Sequence, residues 1–65
     1  MSESYRILNH LCSVHIGFTV TTTRSVAKDL LLNHSRPMAR GRLYELKARS
    51  VGAGVWSVWL EELMP

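Results

Sequence analysis

The sequence predicts an α+β fold in which three helices pack on a short two-stranded antiparallel sheet. Three observations support this fold class: apolar residues at helical spacing, two segments rich in β-branched or aromatic residues, and capping residues and glycines between them. The predicted elements are a helix over residues 4–15, a strand over 18–22, a helix over 24–33, a helix over 37–50 and a strand over 54–60.

The first helix and the first strand follow from residue spacing. Ser2 or Ser4 can cap the helix, and apolar residues recur on one of its faces until Gly17 interrupts the pattern. The strand then alternates large apolar residues with threonine. This alternation predicts that Phe18 and Val20 point toward the core.

The second and third helices are predicted from their first residues. Thr22 or Thr23 can cap the second helix. Pro37 suits the first turn of a helix, because its missing N–H is not needed there. In a helix over 37–50 one narrow face is apolar and both flanks are basic. Gly41 would weaken such a helix by up to about 1 kcal/mol relative to alanine.

The last segment is compatible with two structures. Its β-forming residues favour a strand that pairs with residues 18–22, but Trp56, Trp59 and Leu63 also fall at helical spacing, so a helix is the alternative. In a strand, the two tryptophans cannot both face one small core. An exposed tryptophan is typical of interfaces, and these three residues therefore form a candidate protein interface.

The positive charge is concentrated in the middle of the chain. The whole sequence has a net charge of +3, whereas residues 24–49 contain seven basic and two acidic residues. Such a basic stretch attracts polyanions, of which a phosphate backbone is the most common, although a solvated helix face is the simpler alternative. The basic residues are Arg24, Lys28, Arg36, Arg40, Arg42, Lys47 and Arg49.

From Thr22 to Trp59 the order of elements resembles a winged helix-turn-helix. A capped helix is followed by a short turn, a basic helix that includes residues 42–49, a glycine break and an aromatic strand. The resemblance implies that the helix starting at Pro37 enters the major groove of double-stranded DNA. The DNA-binding residues that it implies are Arg36, Arg40, Arg42, Tyr44, Lys47, Arg49, Thr23 and Ser35.

Other classes of function are disfavoured. The sequence has no nucleophile with a neighbouring base and acid, and no phosphate-binding loop, so we expect no enzymatic activity. His10, Cys12 and His15 are too closely spaced for all three to share a helical face, and we expect neither a metal nor another cofactor. A single cysteine and the lack of a long apolar run favour a cytoplasmic protein without a membrane span.

The composition indicates one domain over residues 1–65. It is 46% hydrophobic with a mean hydropathy of zero, which is typical of a globular chain. We expect a homodimeric transcription regulator from a phage, plasmid or other mobile element. The first alternative is a small protein-binding inhibitor or adaptor that docks through its Trp-rich C-terminal segment. The second is an RNA-binding domain that uses the same basic helix.

Overall fold

In the computed structural model, which describes residues 2–14 and 17–63, two helices pack on one face of a four-stranded antiparallel sheet. The strand order is β1-β4-β3-β2, and every neighbouring pair is antiparallel. The predicted fold with three helices and a two-stranded sheet is therefore wrong. In chain order the elements are α1 (Glu3–Ser13), β1 (Val20–Thr23), α2 (Arg24–Asn33), β2 (Met38–Ala39), β3 (Arg42–Gly52) and β4 (Val55–Glu62).

Both helices begin at capping residues that the sequence marks. The Ser2 hydroxyl accepts a hydrogen bond from the Tyr5 amide at 3.2 Å, and the Thr23 hydroxyl accepts one from the Val26 amide at 3.3 Å. Each bond satisfies an amide that has no partner within its own helix. The predicted end of the first helix at His15 lies outside the described residues.

A single apolar cluster joins the helices to the sheet. Leu30 of α2 and Val58 of β4 are fully enclosed, and burying a side chain of this size contributes about 1.5–3 kcal/mol. Because both helices pack on the same face of the sheet, its other face has no helix on it among the described residues. The buried members of the cluster are Ile7, Leu11, Ala27, Leu30, Tyr44, Leu46, Val58 and Leu60.

Residues 37–50, which are predicted to form a helix, instead contain β2, a turn and most of β3. Tyr44 and Leu46 are buried, and the residues that alternate with them, such as Leu43 and Lys47, point to the other face. A helix would have separated Tyr44 from Leu46. As a strand, the segment brings both side chains into the core and pairs its backbone with β4, which outweighs the helix propensity of its residues.

Two tight turns form the hairpins of the sheet. Arg40 and Gly41 connect β2 to β3 with φ of +54° and +74°, and Ala53 and Gly54 connect β3 to β4 with φ of +53° and +75°. Positive φ at both central residues is typical of a type I′ turn, whose twist matches that of the flanking strands. Gly41 thus provides a turn, and its predicted position inside a helix is wrong.

The last segment is the strand β4, so its helical alternative is wrong. β4 lies between β3 and β1, and Val20 pairs with Val58. β1 begins two residues later than the predicted strand. Phe18 therefore precedes it and is 47% exposed, so its predicted inward orientation is also wrong. The Phe18 ring instead lies edge-on to the His10 ring, with the centroids 5.2 Å apart.

The chain before β2 covers part of the outer edge of β3. The Tyr44 amide donates to the Pro37 carbonyl at 3.0 Å, and the Leu46 amide donates to the Ser35 carbonyl at 2.8 Å. These two bonds extend the hydrogen-bond ladder between β2 and β3 to the residues that precede β2. Beyond Leu46 the sheet continues toward the Ala53–Gly54 turn with β3, β4 and β1 alone.

Candidate nucleic-acid interface

Acidic and basic side chains are distributed unevenly along the sheet. We call residues 20–28 and 47–60 the turn end, because they surround the turn between β3 and β4. Glu3 of α1 also lines a groove beside this turn, but its carboxylate pairs with Arg6 at 3.0 Å. The turn end itself contains no acidic residue, and its four basic residues are Arg24, Lys28, Lys47 and Arg49.

β-sheet pairing and the packing of α2 bring these four residues to the same end of the molecule, with Arg24 and Lys28 on the helix side and Lys47 and Arg49 on the opposite face of the sheet. Arg24 directly follows Thr23, which pairs with Val55 beside the turn. Arg49 of β3 lies across from Ser57 of β4, and Lys47 lies two residues before Arg49 on β3. Residues 24 and 49 are thus far apart in sequence but belong to the same end of the sheet.

A cleft opens at the turn end between α2 and β4. Its volume is about 190 Å³, and Arg24, Ala27, Lys28, Leu31 and Trp56 line it. Arg24 and Lys28 are four residues apart and therefore lie on the same side of the helix. Trp56 is half-buried and packs against the core. We call this cavity the Trp56 cleft; it combines an aromatic side chain with two cations.

Ion pairing distinguishes the turn end from the opposite end of the sheet. Arg42 pairs with Glu62 at 3.2 Å, and the Arg40 guanidinium donates to the Val14 carbonyl at 2.9 Å. At the turn end, only Lys47 is paired, with Glu45 at 3.2 Å. An exposed pair of this kind is worth about 0–1 kcal/mol, so Lys47 can exchange Glu45 for another anion at little cost. Within the described residues, Arg24, Lys28, Arg36 and Arg49 form no ion pair.

The face of the sheet opposite the helices, which we call the open face, is both apolar and charged. Lys47 and Trp59 lie directly across from each other on it, and the Trp59 indole donates to the Glu61 carboxylate at 3.0 Å. Near the far end of this face, Met38 and Leu43 are paired in register and are 70% and 38% exposed. The open face therefore presents apolar surface as well as charge.

The predicted DNA-binding residues do not form one surface, because the helix that would align them is a strand. Arg36, Arg40 and Arg42 lie before or at the start of β3, at the end of the sheet away from the Ala53–Gly54 turn. Tyr44 is 4% exposed and belongs to the core. Of the eight predicted residues, the turn end contains Thr23, Lys47 and Arg49, while Ser35 supplies its carbonyl to β3.

Arg24 and Lys28 belong to the predicted basic stretch but not to the predicted DNA-binding residues. The available signal was that these two residues are four positions apart and lie on the side of α2 that faces away from its apolar residues.

The residues of the predicted protein interface do not form one surface either. Trp56 faces the helices and Trp59 faces the open side, while the amide of half-buried Leu63 donates to the Leu43 carbonyl at 3.1 Å.

In the described part of the chain, the histidine, cysteine and acidic side chains form no group of metal ligands. Burial raises the pKa of the Cys12 thiol, and the nearby Arg40 offsets this only in part, so the reactive thiolate is disfavoured. His15 of the considered set lies outside residues 2–14 and 17–63.

The two described helices contain 11 and 10 residues, and neither is long enough to cross a bilayer. Comparison with protein-family models, with curated proteins and with solved structures finds no match to this chain. The interface must therefore be interpreted from its own geometry.

Proposed function

We propose that this chain is a small DNA-binding protein that contacts the duplex with its turn end and acts as a transcription regulator of a mobile element. The observation that carries this proposal is the charge of the turn end, which has four basic residues and no acidic one, although Glu45, just outside it, pairs with Lys47. Duplex DNA carries one negative charge per roughly 1.7 Å, so a cluster of cations with few competing carboxylates binds it by releasing counterions.

The contacts differ from those of a recognition helix. Arg24, Lys28, Lys47 and Arg49 supply the charged donors, and all of them suit phosphate oxygens. The turn itself consists of small, exposed residues, so its backbone can approach a phosphate closely. Few long side chains at this end can reach base edges, and we expect modest sequence preference from a single domain.

Salt dependence and charge reversal test the proposal. With four phosphate contacts, affinity for a fluorescent duplex should fall about 100-fold between 50 and 200 mM salt. Arg24→Glu and Arg49→Glu should each weaken binding and reduce the salt slope by about one. The matched control is Arg36→Glu, which makes the same charge change at an unpaired arginine away from the turn end. Equal losses in all three variants would reject the turn end as the interface.

We further infer that two copies pair through β1. Among residues 2–14 and 17–63, this strand is hydrogen-bonded only to β4, and its four residues contain no charge or proline to block a second strand. Open grooves of about 650 and 400 Å³ flank it, the first between α1 and Val20 and the second along Thr21 to Thr23. Antiparallel pairing of two β1 strands would give one continuous sheet with a turn end at each side.

Light scattering after size exclusion tests this pairing. Thr21→Lys should convert the dimer to a monomer, because the lysines of the two copies would lie close together at the two-fold axis. Val51→Lys, an equal change at an exposed position on β3, should remain dimeric. A monomeric native chain, or a dimer that is insensitive to Thr21→Lys, would contradict the arrangement.

The open face favours a second candidate function, that of a protein-binding adaptor. Met38, Leu43 and Trp59 place apolar surface there, and neither of the two described helices covers it. An adaptor of this kind should lose a purified binding partner on Trp59→Ala and retain it on Arg49→Glu. DNA binding predicts the opposite sensitivity, so the same two variants separate the two functions.

A further inference from the structure

The Trp56 cleft contains the elements of a nucleotide site that duplex binding alone does not require. It lies between α2 and β4, and Trp56 and Leu31 contribute apolar surface while Arg24 and Lys28 contribute charge. Ala27, which is almost completely buried, lines the same cleft and adds only a methyl group to it. We propose that this cleft holds one unpaired base of a DNA strand, stacked on Trp56, with the adjoining phosphates bound by Arg24 and Lys28. This proposal rests on the proposed DNA binding and extends it to a second form of the same ligand.

The volume of the cleft suits a single base. Its 190 Å³ corresponds to roughly six water molecules at about 30 Å³ each, which is the scale of one heterocyclic ring system and not of a whole oligonucleotide. The rest of the strand would remain at the surface. There, the two cations are separated by about 6 Å along the helix axis, because each residue of a helix rises about 1.5 Å.

The chemistry of the lining favours a base over an apolar peptide. Two cations at the rim would be desolvated without compensation by a purely apolar ligand, whereas a nucleotide brings its own anion. An indole stacks on any base, since every base has a π-face. The acidic residue next to Lys28 does not compete, because the Asp29 carboxylate is hydrogen-bonded by Asn33 at 2.6 Å and by Ser4 of α1.

Tryptophan fluorescence provides a direct test. Trp59→Phe leaves Trp56 as the only tryptophan, so quenching reports on the cleft alone. The probes are a ten-nucleotide oligothymidylate and a strand of equal length that lacks its bases. We expect the oligothymidylate to quench Trp56 and to bind about 5- to 150-fold more tightly than the baseless strand, which is the range that one stacked base supplies.

Charge variants then test the role of the rim. In the Trp59→Phe protein, Arg24→Gln and Lys28→Gln should shift the quenching midpoint to higher oligothymidylate concentration, whereas Arg36→Gln should leave it unchanged. Circular dichroism establishes that each variant is folded. If Trp59→Phe does not fold, the unaltered sequence labelled with 5-fluorotryptophan gives separate fluorine resonances for Trp56 and Trp59, and only that of Trp56 should shift.

The possible outcomes separate this inference from the proposed function. Duplex binding that depends on the turn end, combined with no response of Trp56 to oligothymidylate, overturns the base site and leaves the proposed function intact. Equal quenching by the two strands, or no effect of Arg24→Gln and Lys28→Gln, also overturns it. A response of Trp56 to oligothymidylate without any duplex binding supports the base site and rejects the duplex as the ligand.

Discussion

Asp29 links the two helices through its carboxylate. The Ser4 hydroxyl of α1 and the Asn33 amide of α2 hydrogen-bond to it and lower its pKa below the usual 3.8, because both bonds favour the charged form. Ser4 is itself buried. The half-buried Asp29 carboxylate therefore stabilises the contact between α1 and α2 more strongly when it is ionised than when it is protonated.

This interaction makes stability depend on pH. Since the folded pKa is depressed, the contribution of Asp29 is fully present above the unfolded value near 3.8 and is lost as pH falls through the folded value. Thermal unfolding between pH 6 and 2 should show a decline in midpoint below pH 4 that is smaller in Asp29→Asn. Glu3→Gln is the control for a carboxylate outside this contact. Identical pH profiles for Asp29→Asn and the native chain would contradict the assignment.

At the scale of the secondary-structure elements, the two type I′ turns determine the register of the sheet. Gly54→Ala should destabilise the protein by about 1–2 kcal/mol, because a Cβ is disfavoured at its φ of +75°. Ala53→Asn should have the opposite sign and stabilise the protein by several tenths of a kcal/mol, because asparagine tolerates positive φ and Asn-Gly is favoured in this turn. Urea unfolding measures both effects. Stabilisation by Gly54→Ala would show that the turn is of another type.

The elements that the sequence predicts well are those whose start and periodicity agree. α2 has the predicted bounds because Thr23 caps it and its apolar side is continuous. The helix predicted in place of β3 is wrong, although the residues of this segment have good helix propensity and follow Pro37. The alternation of Tyr44 and Leu46 with polar residues indicates a strand instead. The Arg40-Gly41 pair indicates a hairpin turn only weakly, because the usual pair in such a turn is Asn-Gly.

The site was less predictable than the helices. Arg24 and Arg49 belong to one end of the molecule only because β1 pairs with β4 and β4 pairs with β3. This pairing order of the strands cannot be derived from local sequence patterns. In addition, a helix over residues 37–50 would have two basic flanks, which form a simpler surface. The basic charge of the segment could be identified from composition, but its distribution between the two ends of the sheet required the strands.

At the scale of the whole molecule, stability depends on one small core. Leu30 is fully buried, and Leu30→Ala should cost about 2–5 kcal/mol, a large fraction of the stability of a domain this size. Leu32, two residues away in α2, is 73% exposed, and Leu32→Ala should change stability by about 0.5 kcal/mol or less. Urea unfolding of both variants measures the difference. Similar losses would mean that the Leu32 side chain is also buried, for instance against a partner.

The pairing of β1 with β4 also has a consequence for biosynthesis. Val20 cannot pair with Val58 until Val58, which is 38 positions later in the chain, has been synthesised. At about 5–20 residues per second, a ribosome takes roughly two to eight seconds to add those residues. The nascent β1 is without its partner strand throughout that interval, whereas the hairpin of β3 and β4 can begin to close as the first residues of β4 follow its two-residue turn.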